Sequence, residues 1–169
     1  MRDDVKELKN VNIKVAGMAD LEVVQKLNFL LFKKEQKDFD STLNINWPFS
    51  TDGEKYFREV LNGKIGCAWL AVLNNRVIGY LIGVVKEGVP TSRSIKKRAV
   101  LDNMFVLEEF RDKGVGRSLV KEFIAWAKRE GADNLRVTAF AGNQRAIKFY
   151  RQCGFKDYNH TLEINNLHY

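Results

Sequence analysis

Residues 103–116, NMFVLEEFRDKGVG, constrain the fold more than any other stretch of this chain. Their first residues belong to an apolar segment at 100–106 that is typical of a β-strand, and a charged turn follows it. Gly114 and Gly116 then open a stretch with helical apolar spacing. The first turn of a helix carries unpaired N–H groups and a positive dipole end, and glycines let a ligand approach the backbone closely. The stretch therefore predicts an anion-binding turn between a strand and a helix of an α/β fold.

Three interpretations of the two glycines compete. A Rossmann fingerprint requires a third glycine three residues after Gly116, but that position is Leu119. A Walker loop requires Gly-Lys followed by Ser or Thr, but Arg117 follows Gly116. A plain glycine-rich turn that merely begins a helix stays open on these residues alone.

Apolar periodicity in the rest of the chain predicts a mixed α/β fold with a central hairpin and at least one right-handed crossover. We expect a single domain over residues 1–169, with a core at about 11–160. In chain order the predicted elements are a strand at 11–15, a helix capped by Asp20, an irregular arm at 36–50, a helix opened by a Thr51–Glu54 capping box, strands at 67–73, 76–86 and 100–106, a helix after Gly116, a strand at 135–140, a helix at 146–153 and two short strands within 155–167.

Composition excludes several classes of protein. Two cysteines in 169 residues cannot form a disulfide scaffold or a four-thiolate zinc site, and the two histidines, His160 and His168, have no metal-ligand spacing. We therefore expect no metal. No apolar run approaches the ~20 residues of a membrane-spanning helix, and the start MRDDVKELKN lacks an apolar signal core. A cytoplasmic protein without a membrane partner is the expectation.

The charge balance favours an anionic partner. Lys and Arg number 28 against 21 Asp and Glu, which gives +7. A nucleic-acid-binding module is one explanation, but no aromatic-basic RNA motif or helix-turn-helix spacing supports it, so no nucleic acid is expected. The basic run at 93–98 could contact an acidic substrate or a phosphate, or it could be a solvated loop.

A second segment decides between these interpretations. GNQRAIKFYRQCGF follows the next predicted strand, and a β-α-β unit brings both helix starts to one edge of the sheet. RDKGVG resembles the R/Q-x-x-G-x-G/A phosphate loop of the GNAT family of acyl-CoA N-acyltransferases. GNQRAIKFYRQCGF resembles that family's downstream N-x-x-A-x-x-F-Y-x-x-x-G-F segment. The resemblance covers most of residues 11–160.

The resemblance implies a GNAT-like fold, in which helices flank a mostly antiparallel central sheet with a parallel, splayed strand pair. It also implies transfer of the acetyl group of acetyl-CoA to a primary amine of a small molecule or protein, by direct attack and without a covalent enzyme intermediate. Cys67 and Cys153 would then be dispensable. A non-catalytic acyl-CoA-binding or sensor domain of the same fold is the alternative.

The family's cofactor contacts map onto two parts of the chain. The strand before the loop would pair its backbone with the pantetheine arm, with the Met104 N–H as oxyanion donor, and Asn143 would hold pantetheine from the other side. The strand contacts map onto Met104, Phe105 and Val106, and the pyrophosphate loop onto Arg111, Asp112, Lys113, Gly114, Val115, Gly116 and Arg117.

The catalytic groups follow from the same resemblance. Tyr150 matches the general acid that protonates the leaving thiolate, provided that the site is electropositive; an ordinary core aromatic is its other interpretation. A frequent position of the base is Thr138 here, which cannot accept the proton. We expect the base at Asp102, two residues before Met104 and on the same strand face. Weaker candidates are Glu35, Glu108 and Glu109.

The acceptor side is less determined by the sequence. Glu35, Phe39 and Trp47 would contribute to an acidic, aromatic pocket that attracts an amine, or the arm's aromatic side chains could simply pack on the sheet. The identity of the acceptor stays open. The apolar tail would permit a homodimer through the last strands.

Overall fold

The computed structural model of the chain describes residues 8, 10–86 and 94–164. As far as residue 154, strands and helices follow one another in the order that the apolar periodicity predicts. The elements are β1 (Asn12–Val15), α1 (Leu21–Asp38), α2 (Thr51–Leu61), β2 (Gly66–Leu73), β3 (Arg76–Lys86), β4 (Arg98–Val106), α3 (Val115–Arg129), β5 (Asn134–Val137) and α4 (Gln144–Gln152), with short 3-10 turns at Met18–Asp20, Trp47–Phe49 and Glu108–Phe110.

The strands form one mixed sheet in the order β1-β2-β3-β4-β5. The first three pairings are antiparallel, and β4 pairs with β5 in parallel. The central hairpin turns at Asn74 and Asn75, whose φ angles of 47° and 62° suit a two-residue turn. The predicted mixed α/β fold is confirmed.

The parallel pair is short, and its strands separate where the site lies. β5 pairs with β4 only along Arg98–Leu101, so the rest of β4 has β3 on one side and no described strand on the other. This is the splayed pair that the family resemblance implies. It leaves the backbone groups that residues 103–106 direct away from β3 at an open edge.

Two hydrophobic clusters cover opposite faces of the sheet. One face packs on α3 through Leu119 and Phe123, and α4 adds partly buried residues to it. The other face packs on α1 and α2 through Val24 and Phe57. The sheet therefore separates a side that carries α3 and α4 from a side that carries α1 and α2.

A β-bulge interrupts β4 at Asp102. Ile82 of β3 pairs with Asn103 and Gly83 with Leu101, so Asp102 is one residue extra. A bulge can place two successive side chains on one face. Asp102 and Asn103 both bond to residues on the α1–α2 side, whereas Met104 packs against the α3 cluster. The prediction that Asp102 and Met104 share a face is therefore wrong, because strict alternation ignores the bulge.

Three boundaries differ from the predictions. The cap of α2 is Ser50, whose Oγ accepts a hydrogen bond from the Gly53 N–H at 3.1 Å, rather than Thr51. α1 continues to Asp38 and takes the first residues of the predicted irregular arm. No strand forms in residues 155–164, where two short strands were predicted, and residues 165–167 lie outside the described part. Within the described ranges, no helix is both long and apolar enough to cross a membrane.

Candidate active site

The turn before α3 presents a row of backbone N–H groups. Gly114 is the N-cap of α3, with a left-handed φ of 83° and no side-chain cap, and Asp112 is also left-handed at φ 57°. Among the described residues, no hydrogen bond has a backbone N–H of residues 113–117 as its donor. Unpaired amides at a helix start, together with the helix dipole, form a site for an anion.

Gly116 has a packing role as well. A Cβ at this position would lie 3.2 Å from Cζ of Phe149 on α4, closer than an ordinary contact. The glycine therefore lets α4 pack against the first turn of α3. Any substitution here moves Phe149 in addition to changing the approach to the backbone.

Much of the charge in the loop is used internally. Arg111 Nε donates to the Val106 carbonyl at 2.8 Å, and its guanidinium lies 5.1 Å from the centre of the Phe105 ring. Asp112 pairs with Arg145 at 2.6 Å. Arg111 therefore holds the loop against β4, whereas Arg117 in the first turn of α3 is exposed to solvent.

The open edge of β4 leads to this loop. The Leu107 N–H donates to the Ile78 carbonyl at 2.9 Å, across to β3. Because successive residues of a strand direct their backbone groups to opposite edges, those of Met104 and Val106 face away from β3. Arg111 occupies the Val106 carbonyl, and the groups of Met104 stay at the open edge. On the facing loop, the Asn143 side-chain oxygen caps α4 by accepting from the Ala146 N–H at 3.1 Å.

Tyr150 lies on the inner face of α4, in contact with the rings of Phe149 and Phe155. Burial raises the pKa of Tyr150, and the negative charge of Glu35 raises it further. These surroundings do not supply the positive charge on which the acid role of Tyr150 depends. The phenol of Tyr150 is therefore protonated at neutral pH.

Glu35 projects from α1 towards the same centre. Its charge raises the pKa of both Tyr150 and Tyr80, behind the larger effect of burial on each, so the carboxylate lies within electrostatic range of the two phenols. Burial raises the pKa of Glu35 itself to about 7. A carboxylate with this pKa is half ionised near neutral pH and can accept a proton from an amine.

Asp102 is held by neutral donors. Its Oδ2 accepts hydrogen bonds from the Tyr56 hydroxyl at 2.5 Å and from the Asn103 side-chain amide at 2.9 Å. Burial and the charge of Asp102 raise the pKa of Tyr56, which therefore remains a donor. Of the weaker candidates, Glu109 is exposed and pairs with Arg76 at 2.8 Å.

A buried hydrogen-bond network extends from Asp102 into the protein, and none of the sequence motifs indicated it. Asn28 on α1 is fully buried, and its Nδ2 donates to the Tyr80 hydroxyl at 2.8 Å and to Asn103 Oδ1 at 3.2 Å. Asn28 Oδ1 is buried and has no hydrogen-bond partner among the described residues, a state that costs about 1–3 kcal/mol. The available signal was an asparagine at helical spacing between Val24 and Leu31 on an apolar stripe.

The three predicted acceptor residues divide between two places. Phe39 stacks on Phe140 with ring centres 5.7 Å apart and faces Gly142, so it joins α1 to the loop before Asn143. Trp47 packs among the aromatic rings of α1 and α2, including Tyr56 at 5.6 Å. Glu35 and Phe39 thus lie near Tyr150 and its loop, whereas Trp47 lies beside the tyrosine that holds Asp102.

The basic run lies elsewhere. Residues 87–93, and Arg93 with them, are outside the described part, but the N–H groups of Lys96 and Lys97 bond to Asp133 at 3.0 Å. Arg98 is buried at the start of β4. This end of β4 is opposite to the end that enters the loop, so the described part of the run does not contribute to the anion site. The described residues contain no group of His, Cys, Asp and Glu that could hold a metal.

Comparison with protein families gives a match that covers most of the chain. Residues 31–155 match the model described as the acetyltransferase (GNAT) family. Two curated relatives are distant. Human N-acetyltransferase 8 is 26% identical over 112 residues, which are 66% of this chain and 48% of that protein. An N-alpha-acetyltransferase of Saccharolobus solfataricus is 24% identical over 152 residues, covering 88% of this chain and 81% of the relative. The chain thus spans about half the length of the first relative.

A solved structure shares the fold. The aminoglycoside acetyltransferase AAC(6')-Iy, in complex with the bisubstrate analogue CoA-S-monomethyl-acetylneamine, superposes with a TM-score of 0.72 at 18% identity. The superposition covers 94% of this chain and 99% of the other. At this identity the likeness establishes the architecture alone.

Proposed function

The chain belongs to the acetyltransferase (GNAT) family, and from that premise we propose that it transfers the acetyl group of acetyl-CoA to a primary amine by direct attack. One observation carries the proposal. The free backbone N–H groups of residues 113–117 stand where the open edge of β4 ends. A diphosphate fits the first feature, and a pantetheine arm that ends in a thioester fits the second.

The proposed cofactor contacts rely on the backbone. The amides of residues 113–117 bind the pyrophosphate, with Arg117 as the exposed cation beside them. The pantetheine arm runs along β4, and the Met104 N–H stabilises the charge that develops on the thioester oxygen. Since the oxygen of Asn143 caps α4, this residue offers its amide nitrogen to pantetheine.

Glu35 is the proposed base. The nitrogen must lose a proton before it can attack the carbonyl carbon, and Glu35 combines a pKa of about 7 with a position near Tyr150. Asp102, the base expected from the sequence, is the second candidate, because it also lies within electrostatic range of Tyr80. The two candidates differ in environment. Neutral groups donate hydrogen bonds to Asp102, whereas burial is what raises the pKa of Glu35.

Tyr150 is the proposed acid, and its acidity depends on Glu35. The nitrogen–carbon bond forms, the carbon–sulfur bond breaks, and the leaving thiolate takes the phenol proton. The second proton that the nitrogen loses as the amide forms returns to the phenolate. The charge of Glu35 raises the pKa of Tyr150 in the resting site. Once Glu35 has accepted the proton of the amine, that charge is gone and Tyr150 becomes a better proton donor. Proton removal from the acceptor thus prepares the acid for the leaving group.

Direct attack gives the cysteines no role. Burial raises the pKa of the Cys153 thiol, which makes it a poor nucleophile at neutral pH. We expect Cys153→Ala to retain turnover. Loss of turnover with unchanged affinity for coenzyme A would contradict direct attack and indicate an acyl-enzyme intermediate.

Calorimetry with acetyl-CoA, followed by thiol-release assays on a panel of amines, tests the whole proposal. The panel contains alkylamines, diamines, peptides with a free N-terminus and aminoglycosides. Binding followed by amine-dependent thiol release supports the proposal. Binding without release from any amine supports the non-catalytic acyl-CoA-binding alternative, and no binding contradicts both.

A further inference from the structure

A chain of hydrogen bonds links α1, α2, β3 and β4 on the α1–α2 side of the sheet, which we call the acceptor side. Asn28 donates to Tyr80 and to Asn103, Asn103 donates to Asp102, and Tyr56 donates to the same carboxylate oxygen. The Asp102 carboxylate fixes which partner donates in each of these hydrogen bonds. Since it can only accept, Asn103 must present its amide nitrogen to Asp102 and its oxygen to Asn28, which in turn presents its own nitrogen.

With the donors assigned in this way, two oxygen acceptors of the network have no described donor. Asn28 Oδ1 is fully buried without a partner, and none of the described hydrogen bonds involves Oδ1 of Asp102. A buried polar oxygen without a partner in an otherwise satisfied network indicates a missing donor. That donor is an N–H group of a ligand, which can reach the exposed Asp102 directly and the buried Asn28 Oδ1 only through a bound water.

The surroundings favour a cation as that donor. Within the described residues, neither Asp102 nor Glu35 forms an ion pair with a lysine or arginine. The ring of Tyr56 packs against Trp47 with centres 5.6 Å apart, so aromatic faces lie beside Asp102. A carboxylate flanked by aromatic rings suits an ammonium group.

Glu35 and Asp102 lie beside different parts of α1. Glu35 follows Asn28 by seven residues on α1, which puts both on one face of the helix at about 10 Å along its axis. Asn28 bonds to Asn103, the neighbour of Asp102. The reacting amine and the Asp102 group are therefore separate positions along one acceptor.

Building on the proposed function, we propose that the acceptor is a di- or polyamine: Glu35 receives the reacting amine, and the Asp102–Asn103–Asn28 network binds a second ammonium group. Tyr56 and Asn103 position the Asp102 carboxylate, and Asn28 positions Asn103. The second ammonium supplies the N–H donors that Asp102 and Asn28 lack.

Matched pairs of acceptors test the proposal. Diaminobutane, diaminohexane and diaminooctane are each compared with the monoamine of the same chain length, in thiol-release assays on the full chain. We expect at least one diamine to exceed its monoamine by about tenfold or more in kcat/KM, the ratio for one hydrogen bond to a charged group. Asp102→Asn brings that ratio close to one, mainly through KM. Glu122→Gln removes the same charge from α3, on the other face of the sheet, and keeps the ratio.

The outcomes separate the two proposals. Equal kcat/KM for each pair, or a ratio that survives Asp102→Asn, overturns the second-ammonium site while the acetyltransferase stands. If Asp102→Asn instead lowers kcat for both members and removes the pH dependence, Asp102 is the base and the second-ammonium site is wrong. Bound acetyl-CoA without release from any amine contradicts the proposed function itself. Asn28→Leu should also lower the diamine ratio; its folding is checked by Tm, and the Asp102 variant decides if it does not fold.

Discussion

The α3–α4 side and the α1–α2 side of the sheet offer binding groups of different kinds. On the α3–α4 side, the groups that suit a cofactor are backbone amides of residues 113–117 and the edge of β4. On the α1–α2 side, they are side chains from α1, α2, β3 and β4 that meet only in the folded chain. Backbone groups tolerate many side chains, whereas a side-chain network depends on each member.

The difference extends to electrostatics. The loop before α3 gathers N–H dipoles and cations, with its acidic residue Asp112 neutralised by Arg145. On the acceptor side, Glu35 and Asp102 form no ion pair with a described lysine or arginine, and burial raises the pKa of Glu35 to about 7. One side thus suits an anion and the other a cation, as a phosphorylated donor and an amine acceptor require.

Glu35→Gln gives the largest expected effect and tests whether the two sides are independent. The amide keeps the shape but cannot accept a proton, so kcat should fall about 100-fold or more while the affinity for acetyl-CoA is unchanged. In the parent chain, kcat/KM should rise with pH through about 7 as Glu35 loses its proton, and the variant should lack this rise. Rate–pH profiles and calorimetry measure both quantities.

Glu22→Gln is the control for that variant, since Glu22 is exposed on the same helix and, in the described part of the chain, forms an ion pair with Lys26 alone. An unchanged rate–pH profile in Glu35→Gln would remove Glu35 from the role of base. Weaker binding of acetyl-CoA would show that the two sides are coupled.

Gly116→Asp addresses the anion site. A carboxylate against the diphosphate should weaken binding of coenzyme A by more than about 2 kcal/mol. Gly116→Ala separates this charge effect from packing, because its methyl group meets Phe149 without adding charge. If both variants lose the same affinity by calorimetry, packing of α4 explains the loss and the anion site is not supported.

Tyr150→Phe should lower turnover about tenfold and leave the affinity for coenzyme A nearly unchanged. The effect is below the usual range for a general acid, because burial and Glu35 already make this phenol a weak proton donor. Single-turnover measurements are needed so that product release does not mask the chemical step. An unchanged chemical rate would leave Tyr150 as a packing residue of α4.

Ser50→Ala has the smallest effect and concerns the frame of the acceptor side. Loss of the cap on α2, which carries Tyr56, should cost about 1 kcal/mol in the free energy of unfolding. Thr51→Ala, one position later, should cost only a few tenths of that. Denaturant unfolding of both variants distinguishes the observed cap from the predicted one.

The sequence predicted the α3–α4 side well for a physical reason. Glycines, capping residues and strand–helix order are local signals, and Gly114 and Asn143 have left such signals at the starts of α3 and α4. The hairpin at Asn74-Asn75 is another local signal, and β3 has the predicted bounds Arg76–Lys86. Where an element begins or turns for reasons of backbone geometry, the pattern along the chain suffices to predict that element.

The acceptor side could not be predicted in the same way. Asn28, Tyr80 and Asn103 are separated by 52 and 75 residues in their hydrogen bonds, and no local pattern announces such contacts. The raised pKa of Glu35 comes from burial, which depends on the packing of the folded chain. The sequence ranked Asp102 above Glu35 because position along β4 was visible and desolvation was not.

The extra residue in β4 also reverses the phase of everything that follows it. Upstream, Leu101 belongs to the α3 cluster; downstream, Phe105 packs on the α1–α2 side and Val106 on α3. Removing Asp102 from β4 would restore regular alternation and leave each later side chain on its present layer, whereas regular alternation with Asp102 retained in the ladder would turn each of them to the opposite layer. The inserted residue thus sets which layer every following side chain enters, up to the loop, without any change in their order.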